Sequence, residues 1–162
     1  MDEARLDYER KFFDKIVRYS DGVLRWKVGT RFGREAGTVN NLGYKVFKYQ
    51  GKMYSVHRVI YLLATGKKPE YVDHIDGNKL NNYISNLRPA TPSQNQCNQK
   101  RSVKNTTGHK NVFFVSRLNK YRVRVQFEGQ RQDLGYFDDI ESASVVAEAA
   151  RNKIHKEFAR HE

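Results

Sequence analysis

Residues 72–95 read VDHIDGNKLNNYISNLRPATPSQN. Asp73, His74, Asp76, Asn78, Asn81, Asn82, Asn86 and Asn95 all fall inside this stretch. It is too polar for a core segment, yet it is punctuated at fixed points. Val72 to His74 predicts a short strand. DGN (76–78) supplies turn chemistry, because Asp and Asn hydrogen-bond their own backbone and Gly accepts a left-handed conformation. ISNLRP (84–89) predicts a second extended segment. Thr91 is a good N-cap, Pro92 suits the first helical position, and Gln94 follows Thr91 at capping-box spacing. The order is strand, loop, strand, helix, with Asn95 near the start of the helix.

Neighbouring residues of a strand point to opposite faces. A metal held by Asp73 is therefore not expected to be ligated by His74 as well. His74 can instead face a water or a phosphate, where an imidazole is a suitable general base. An Asp carboxylate and an Asn carbonyl are hard oxygen ligands, suited to Mg²⁺ or Mn²⁺ rather than zinc. Asn95 can complete such a site, with waters and phosphate oxygens in the remaining positions. That chemistry fits metal-assisted phosphodiester hydrolysis. A lone Asp-His pair is more often a surface or capping feature, and Asn78, Asn81 and Asn82 read as turn formers. The weight lies on the joint spacing of Asp73, His74 and Asn95 and on the capped helix. His57, which opens a helix, is left outside the catalytic set, and Asp76 reads as a turn residue or a neighbour of the site.

Upstream, residues 5–18 predict a helix with Leu6, Phe12, Phe13, Ile16 and Val17 on its apolar side, broken by YSDG (19–22). Strands are expected at 23–28, 44–49 and 53–56, with QGK (50–52) as the hairpin turn between the last two. The Gly-rich 29–43 reads as a mobile connection. A helix follows at 57–65, with Gly66 at its C-terminal cap and Pro69 beyond.

The chain has 162 residues, 30 Lys plus Arg against 18 Asp plus Glu, and a net charge of +12. Such an excess favours a polyanionic partner. The 38% hydrophobic content fits two small cores better than one large one. Cys97 is the single cysteine, which excludes an intramolecular disulfide and a cysteine-based zinc site. The N-terminus MDEARLDYERKFF carries both signs of charge and does not read as a secretory signal. No apolar run approaches the roughly 20 residues of a membrane span.

Beyond the opening stretch, NQKRSVKNTTGHKN (98–111) is polar and basic without an apolar period, and reads as a linker. Its Lys100, Arg101 and Lys104 suit phosphate contact or a solvated tether equally. Alternation then sets in at 111–116, 120–127 and 131–137, with turns at 117–119 and 128–130, which predicts a three-stranded antiparallel meander. Asp138 and Asp139 open a helix over 140–160 with Ile140, Ala143, Ala147, Ala150 and Ile154 as its apolar stripe. In KYRVRVQF (120–127), Arg122, Arg124 and Gln126 share one face and Val123, Val125 and Phe127 the other. The apolar face is expected to pack on the helix. The polar face carries side chains suited to phosphates and base edges, and a sheet of this kind fits a major groove.

Two resemblances attach to these residues. DHIDGNKLNNYISNL followed by TPSQN, together with GVLRWKV, GYKVFKYQGKMYSVHR and TGKKPE upstream, resembles the HNH homing endonucleases of phages and introns over roughly residues 20–98. This implies a strand-strand-helix metal finger in which His74 is the general base and Asp73 and Asn95 are metal ligands. Asn86 belongs to the catalytic motif as the residue that holds the loop through hydrogen bonds to backbone. TTGHKNVFFVSRLNKYRVRVQFEGQRQDLGYFDDIESASVVAEAARNKIHKEFA resembles the APETALA-two (ethylene-response-factor) DNA-binding domain over about 106–160. This implies that Lys110, Arg117, Arg124, Gln126 and Arg131 lie where a sheet meets DNA, with Arg122 beside them. Phe113 and Asp133 stand where that plant family usually has Arg and Trp, so its target sequence does not transfer.

The expected fold class is α+β. An HNH nuclease domain is expected at 1–98, a basic linker at 99–108 and a sheet-plus-helix DNA-binding domain at 109–162. The expected activity is metal-dependent hydrolysis of double-stranded DNA by a monomer, with Mg²⁺ or Mn²⁺, in the cytoplasm of a bacterial host if phage-encoded. No membrane or disulfide-linked partner is expected. The alternative is a non-catalytic DNA-binding regulator on a degenerate HNH fold.

Overall fold

The computed structural model describes residues 3–99 and 101–161. Lys100 therefore lies outside the described residues. The described residues are mixed α and β, with four small antiparallel sheets. The chain separates into two compact units, Met1–Ala90 and Thr91–Glu162.

The first unit opens with α1 (Glu3–Ile16), followed by β1 (Val17–Ser20) and β2 (Val23–Trp26). These strands form a hairpin that pairs Val17 with Trp26 and Ser20 with Val23. Residues 17 and 18 are thus strand, not the helix end expected from their apolar spacing. Asp21 and Gly22 both take positive φ, 51° and 77°, the geometry of a tight two-residue hairpin turn. The sequence YSDG does more than stop a helix, because it reverses the chain. Val17 is fully buried, so its place in the core overrides the helical pattern.

The Gly-rich connection holds a short turn at Gly29–Arg31 and the edge strand β3 (Thr38–Val39). This strand joins β4 (Lys45–Tyr49) and β5 (Lys52–Ser55) in the order β3-β4-β5. Helix α2 (Val56–Thr65) follows, and its end is closed by the Gly66 amide donating to the Leu62 carbonyl at 2.9 Å. Strands β6 (Tyr71–His74) and β7 (Leu87–Ala90) then pair antiparallel, with Asp73 opposite Arg88 and His74 opposite Leu87. Residues 84–86 form a 3-10 turn ahead of β7, where extended chain had been expected. Val56, Val59, Ile60 and Leu62 of α2 meet Phe13, Trp26, Phe47, Val72 and Leu87 in one core. Its rings pack edge to face, as in Phe13 with Tyr54 at 5.0 Å and Trp26 with Phe47 at 5.4 Å.

In the second unit, α3 (Pro92–Cys97) carries the full capping box. The Gln94 amide donates to Thr91 Oγ1, and the Thr91 amide donates to Gln94 Oε1. Strands β8 (Val112–Val115), β9 (Lys120–Phe127) and β10 (Gln130–Phe137) form a sheet in the order β10-β9-β8. Helix α4 (Ile140–His155) covers one face of it. Asp139 caps this helix, accepting from the Ser142 amide at 2.7 Å. Ala143 and Ala147 are fully buried against Val112 and Val123, and their small side chains let the helix lie close to the sheet. Farther along, the expected stripe shifts. Arg151 and His155 take the buried positions while Ala150 and Ile154 are half-buried. Both polar groups have backbone partners. Arg151 Nη1 donates to the Lys110 carbonyl at 2.6 Å, and His155 Nε2 lies 3.2 Å from the Gln126 carbonyl. Helix α4 ends at His155 and a 3-10 turn completes the segment.

The segment read as a linker contains an ordered turn. Asn105 Nδ2 donates to the His109 and Val112 carbonyls, and Thr107 Oγ1 donates to the Asn105 side chain and to the Val112 carbonyl. The two compact units divide between Ala90 and Thr91, so α3 groups with the second unit.

Candidate active site

Strand β6 presents Asp73 and His74, both buried at 5% and 3% exposure. The pleat sends them to different partners. Asp73 faces its cross-strand neighbour Arg88, whose Nε and Nη2 reach Oδ2 at 3.0 and 2.9 Å. This charge-assisted contact fixes the carboxylate in a site from which most water is excluded.

His74 is held from several sides. Its Nε2 lies 3.0 Å from Asn82 Oδ1, and Asn82 is itself 2% exposed. An amide oxygen can only accept, so in this pair Nε2 is the donor. The His57 ring of α2 packs at 5.0 Å from the His74 ring. Tyr44 completes the group, 5.2 Å from His57 and 6.1 Å from His74. Burial, then the neighbouring His74 and Arg58, push the His57 imidazole down to about 3. His57 is therefore neutral at physiological pH. Burial and the Asp73 charge raise the Tyr44 phenol.

The loop between β6 and β7 is built around Asn86. Its side chain accepts from the Asp76 amide at 3.0 Å and donates to the Asn81 carbonyl at 2.8 Å and to Asp76 Oδ1 at 2.9 Å. Partial burial pushes the Asp76 carboxyl up. Hydrogen bonds from Asn81, the Asn78 amide and Asn86 outweigh that and hold it below the usual carboxylate range. Asp76 is thus the hub of the turn. The loop is tied outward as well, through the Ile84 amide to the Tyr19 hydroxyl at 3.0 Å and Lys79 Nζ to the Leu42 carbonyl at 2.9 Å.

Asn95 lies on α3, half-buried, its amide closing the first helical turn onto the Thr91 carbonyl at 3.0 Å. Among the described residues, no three His, Cys, Asp or Glu side chains gather as a metal cage. The Asp73 carboxylate is a hard oxygen donor, and by itself it would leave most of a coordination sphere to other groups, water or phosphate. That fits Mg²⁺ or Mn²⁺ chemistry and not a closed thiolate or imidazole site.

The residues singled out in the second unit for DNA contact divide into two kinds. Arg122, Arg124, Gln126 and Arg131 lie on β9 and β10, with Gln126 and Arg131 paired across the strands. Val123 and Val125 are buried on the opposite face. Arg117 is exposed in the turn between β8 and β9. Lys110 is directed elsewhere. Its Nζ donates to the Cys97 and Gln99 carbonyls at 2.8 and 2.6 Å, and burial lowers its ammonium to about 8.

Asn82, His57, Tyr44 and Arg88 were not selected from sequence. Asn82 looks like every other asparagine of its run, and only the loop's path brings it to His74. A histidine among the apolar residues of α2 was a weak signal for His57. Tyr44 and Arg88 gave none.

A family model described as HNH endonuclease matches residues 54–97, from the end of β5 through α3. An uncharacterized HNH endonuclease of Acanthamoeba polyphaga mimivirus is 40% identical over 120 residues, 72% of this chain and 61% of that relative's length. Protein 3.8 of Escherichia phage T7 is 34% identical over 106 residues, 64% of this chain and 87% of the relative. A prophage-derived protein of Bacillus subtilis, named as an HNH homing endonuclease, is 43% identical over 56 residues, 33% of this chain and 32% of its own. No solved structure matches the chain.

Proposed function

From the premise that this chain belongs to the family of phage T7 protein 3.8 and carries an HNH endonuclease domain, we propose that it hydrolyses phosphodiester bonds in duplex DNA at sites chosen by its second unit. The observation that carries this reading is the buried Asp73-His74 pair, with His74 held at 3.0 Å by Asn82 and Asp73 at 2.9 Å by Arg88. Burying an Asp and a His is costly unless both are paired, as they are here, and the end of a strand beside a loop braced by Asn86 holds them where chemistry could be done.

His74 is the general base. Its imidazole takes a proton from the attacking water. The water oxygen bonds to phosphorus as the bond to the 3′ oxygen breaks, and that oxygen leaves as a hydroxyl once protonated. The products are 5′-phosphate and 3′-hydroxyl ends. A divalent ion would be held by Asp73, with Asn95 as the further ligand that the HNH resemblance implies, and would supply positive charge to the phosphate and the departing oxygen. Asp73 contributes a carboxylate oriented by Arg88. Asn86 maintains the loop and acts on catalysis only through it.

In the second unit, the face bearing Arg122, Arg124, Gln126 and Arg131 is the DNA-reading surface, with Arg117 at its rim. The net charge of +12 favours a polyanionic partner for the chain as a whole. Lys110, bonded to two carbonyls of its own unit, is better suited to holding the end of α3 than to contacting phosphate.

The test is nicking of supercoiled plasmid and phage DNA with Mg²⁺, Mn²⁺ or EDTA. The expected result is cleavage with either metal, none in EDTA, and none by His74→Ala. Cleavage that persists in EDTA overturns the metal assignment, and wild-type rates from His74→Ala overturn the base. Competition with duplex RNA is expected to leave cleavage unchanged.

A further inference from the structure

The sheet face of the second unit carries an acid at its centre. Asp133 on β10 sits opposite Arg124 on β9. It grips Arg122 side-on, with Nε to Oδ1 and Nη2 to Oδ2 both at 2.6 Å. It also accepts from Arg124 Nε at 3.1 Å. The backbone is shaped for this. The register shifts between Asp133 and Gly135, so Arg124 and Val123 on β9 face Asp133 and Gly135 across one extra residue. Gly135 takes φ +116°, a conformation that an L side chain rarely adopts. Bulges of this kind re-aim a side chain, and here the one that lies between the two arginines is Asp133.

An acid on a surface meant only to attract phosphate is a disadvantage, since it cancels one of two positive charges. Its geometry offers a different benefit. A guanidinium has five N–H donors in a planar fork. Asp133 uses the Nε proton and one Nη2 proton of Arg122, the side edge. The end edge retains a pair of parallel donors, one on Nη1 and one on Nη2. That pair matches the N7 and O6 acceptors of guanine in the major groove. Packing adds to the restraint, because the Arg122 guanidinium lies 5.9 Å from the Tyr136 ring centroid and Phe113 is its cross-strand neighbour on β8.

We propose that Asp133 is a specificity-determining residue that buttresses Arg122, and more weakly Arg124, for end-on recognition of guanines in duplex DNA. The inference rests on the assignment of this sheet as the DNA-reading face. Asp133 touches no base itself. It removes the rotamer freedom that an unsupported arginine would lose on binding, and it sacrifices general phosphate attraction to do so.

The test is selection from a randomised duplex DNA library by the full-length chain in a His74→Ala background, alongside the same chain with Asp133→Ala, Arg122→Lys or Arg122→Ala. The expected wild-type motif contains guanines. Asp133→Ala is expected to lower preference at one or two of those positions by about tenfold, the range of a bidentate contact, while binding random duplex as well as wild type or better. Arg122→Lys keeps the charge and is expected to lose the same guanine preference. If Asp133→Ala keeps the wild-type motif, the buttress is overturned and the reading face stands. If Arg122→Ala binds and selects like wild type, or the chain prefers duplex RNA, the reading face itself fails. Loss of affinity for all sequences alike in Asp133→Ala also overturns the proposal, because it makes the residue merely structural.

Discussion

At the scale of single residues, His74 is defined by its neighbours as much as by its own chemistry. Asn82 Oδ1 lies 3.0 Å from Nε2, so replacing it removes a partner that orients the ring. Asn82→Leu is expected to lower kcat by roughly 10–100-fold, the cost typical of losing a partner that orients an active group, with KM unchanged. Asn82→Asp keeps an acceptor and is expected to recover most of the rate. Steady-state nicking of plasmid separates these outcomes, and equal losses in both variants would remove Asn82 from the mechanism. His57 makes a pH prediction. Its folded value of about 3 lies below the ordinary 6.5. Between those values the unfolded chain binds a proton that the folded chain refuses, so stability falls as pH is lowered through that interval. His57→Phe, which keeps a ring in the apolar pocket, is expected to flatten the dependence in that window. Urea midpoints measured across it decide the matter.

At the scale of elements, α4 approaches the sheet through two alanines. Ala143 and Ala147 are fully buried against Val112 and Val123. Ala147→Leu is therefore expected to destabilise the second unit by about 1–3 kcal/mol through overpacking, seen as a lower denaturation midpoint. Ala150, from the same expected stripe but half-buried, should tolerate the same change with a smaller loss. The apolar periodicity of α4 was legible over its first turns and failed over its last, where Arg151 and His155 are buried because backbone carbonyls receive them. Val17 and Arg18 were misread for a related reason. Their spacing continues α1, but pairing with Trp26 and Arg25 makes them strand.

At the scale of the whole molecule, the charge of +12 predicts binding to duplex DNA that weakens steeply with salt. Arg131→Ala is expected to reduce the slope of log K against log salt by about one and to weaken all sequences alike. Fluorescence anisotropy over a salt series measures both. An unchanged slope would take Arg131 out of the phosphate-contacting set. Among the described residues, no helix is long and apolar enough to cross a membrane.

The sequence alone determined the features governed by local chemistry. Turn residues, the capping box at Thr91 and Gln94, the alternation in 120–127 and the spacing of Asp73, His74, Asn86 and Asn95 could all be read there, because each depends on neighbours a few positions away. The tertiary structure decided the rest. It chose Asn82 from a run of asparagines, brought His57 and Tyr44 to His74, set Arg88 against Asp73 and turned Asp133 toward two arginines. Those partners are fixed by strand register, a bulge and the path of a loop. Such contacts join residues that are distant in sequence, so no local pattern encodes them.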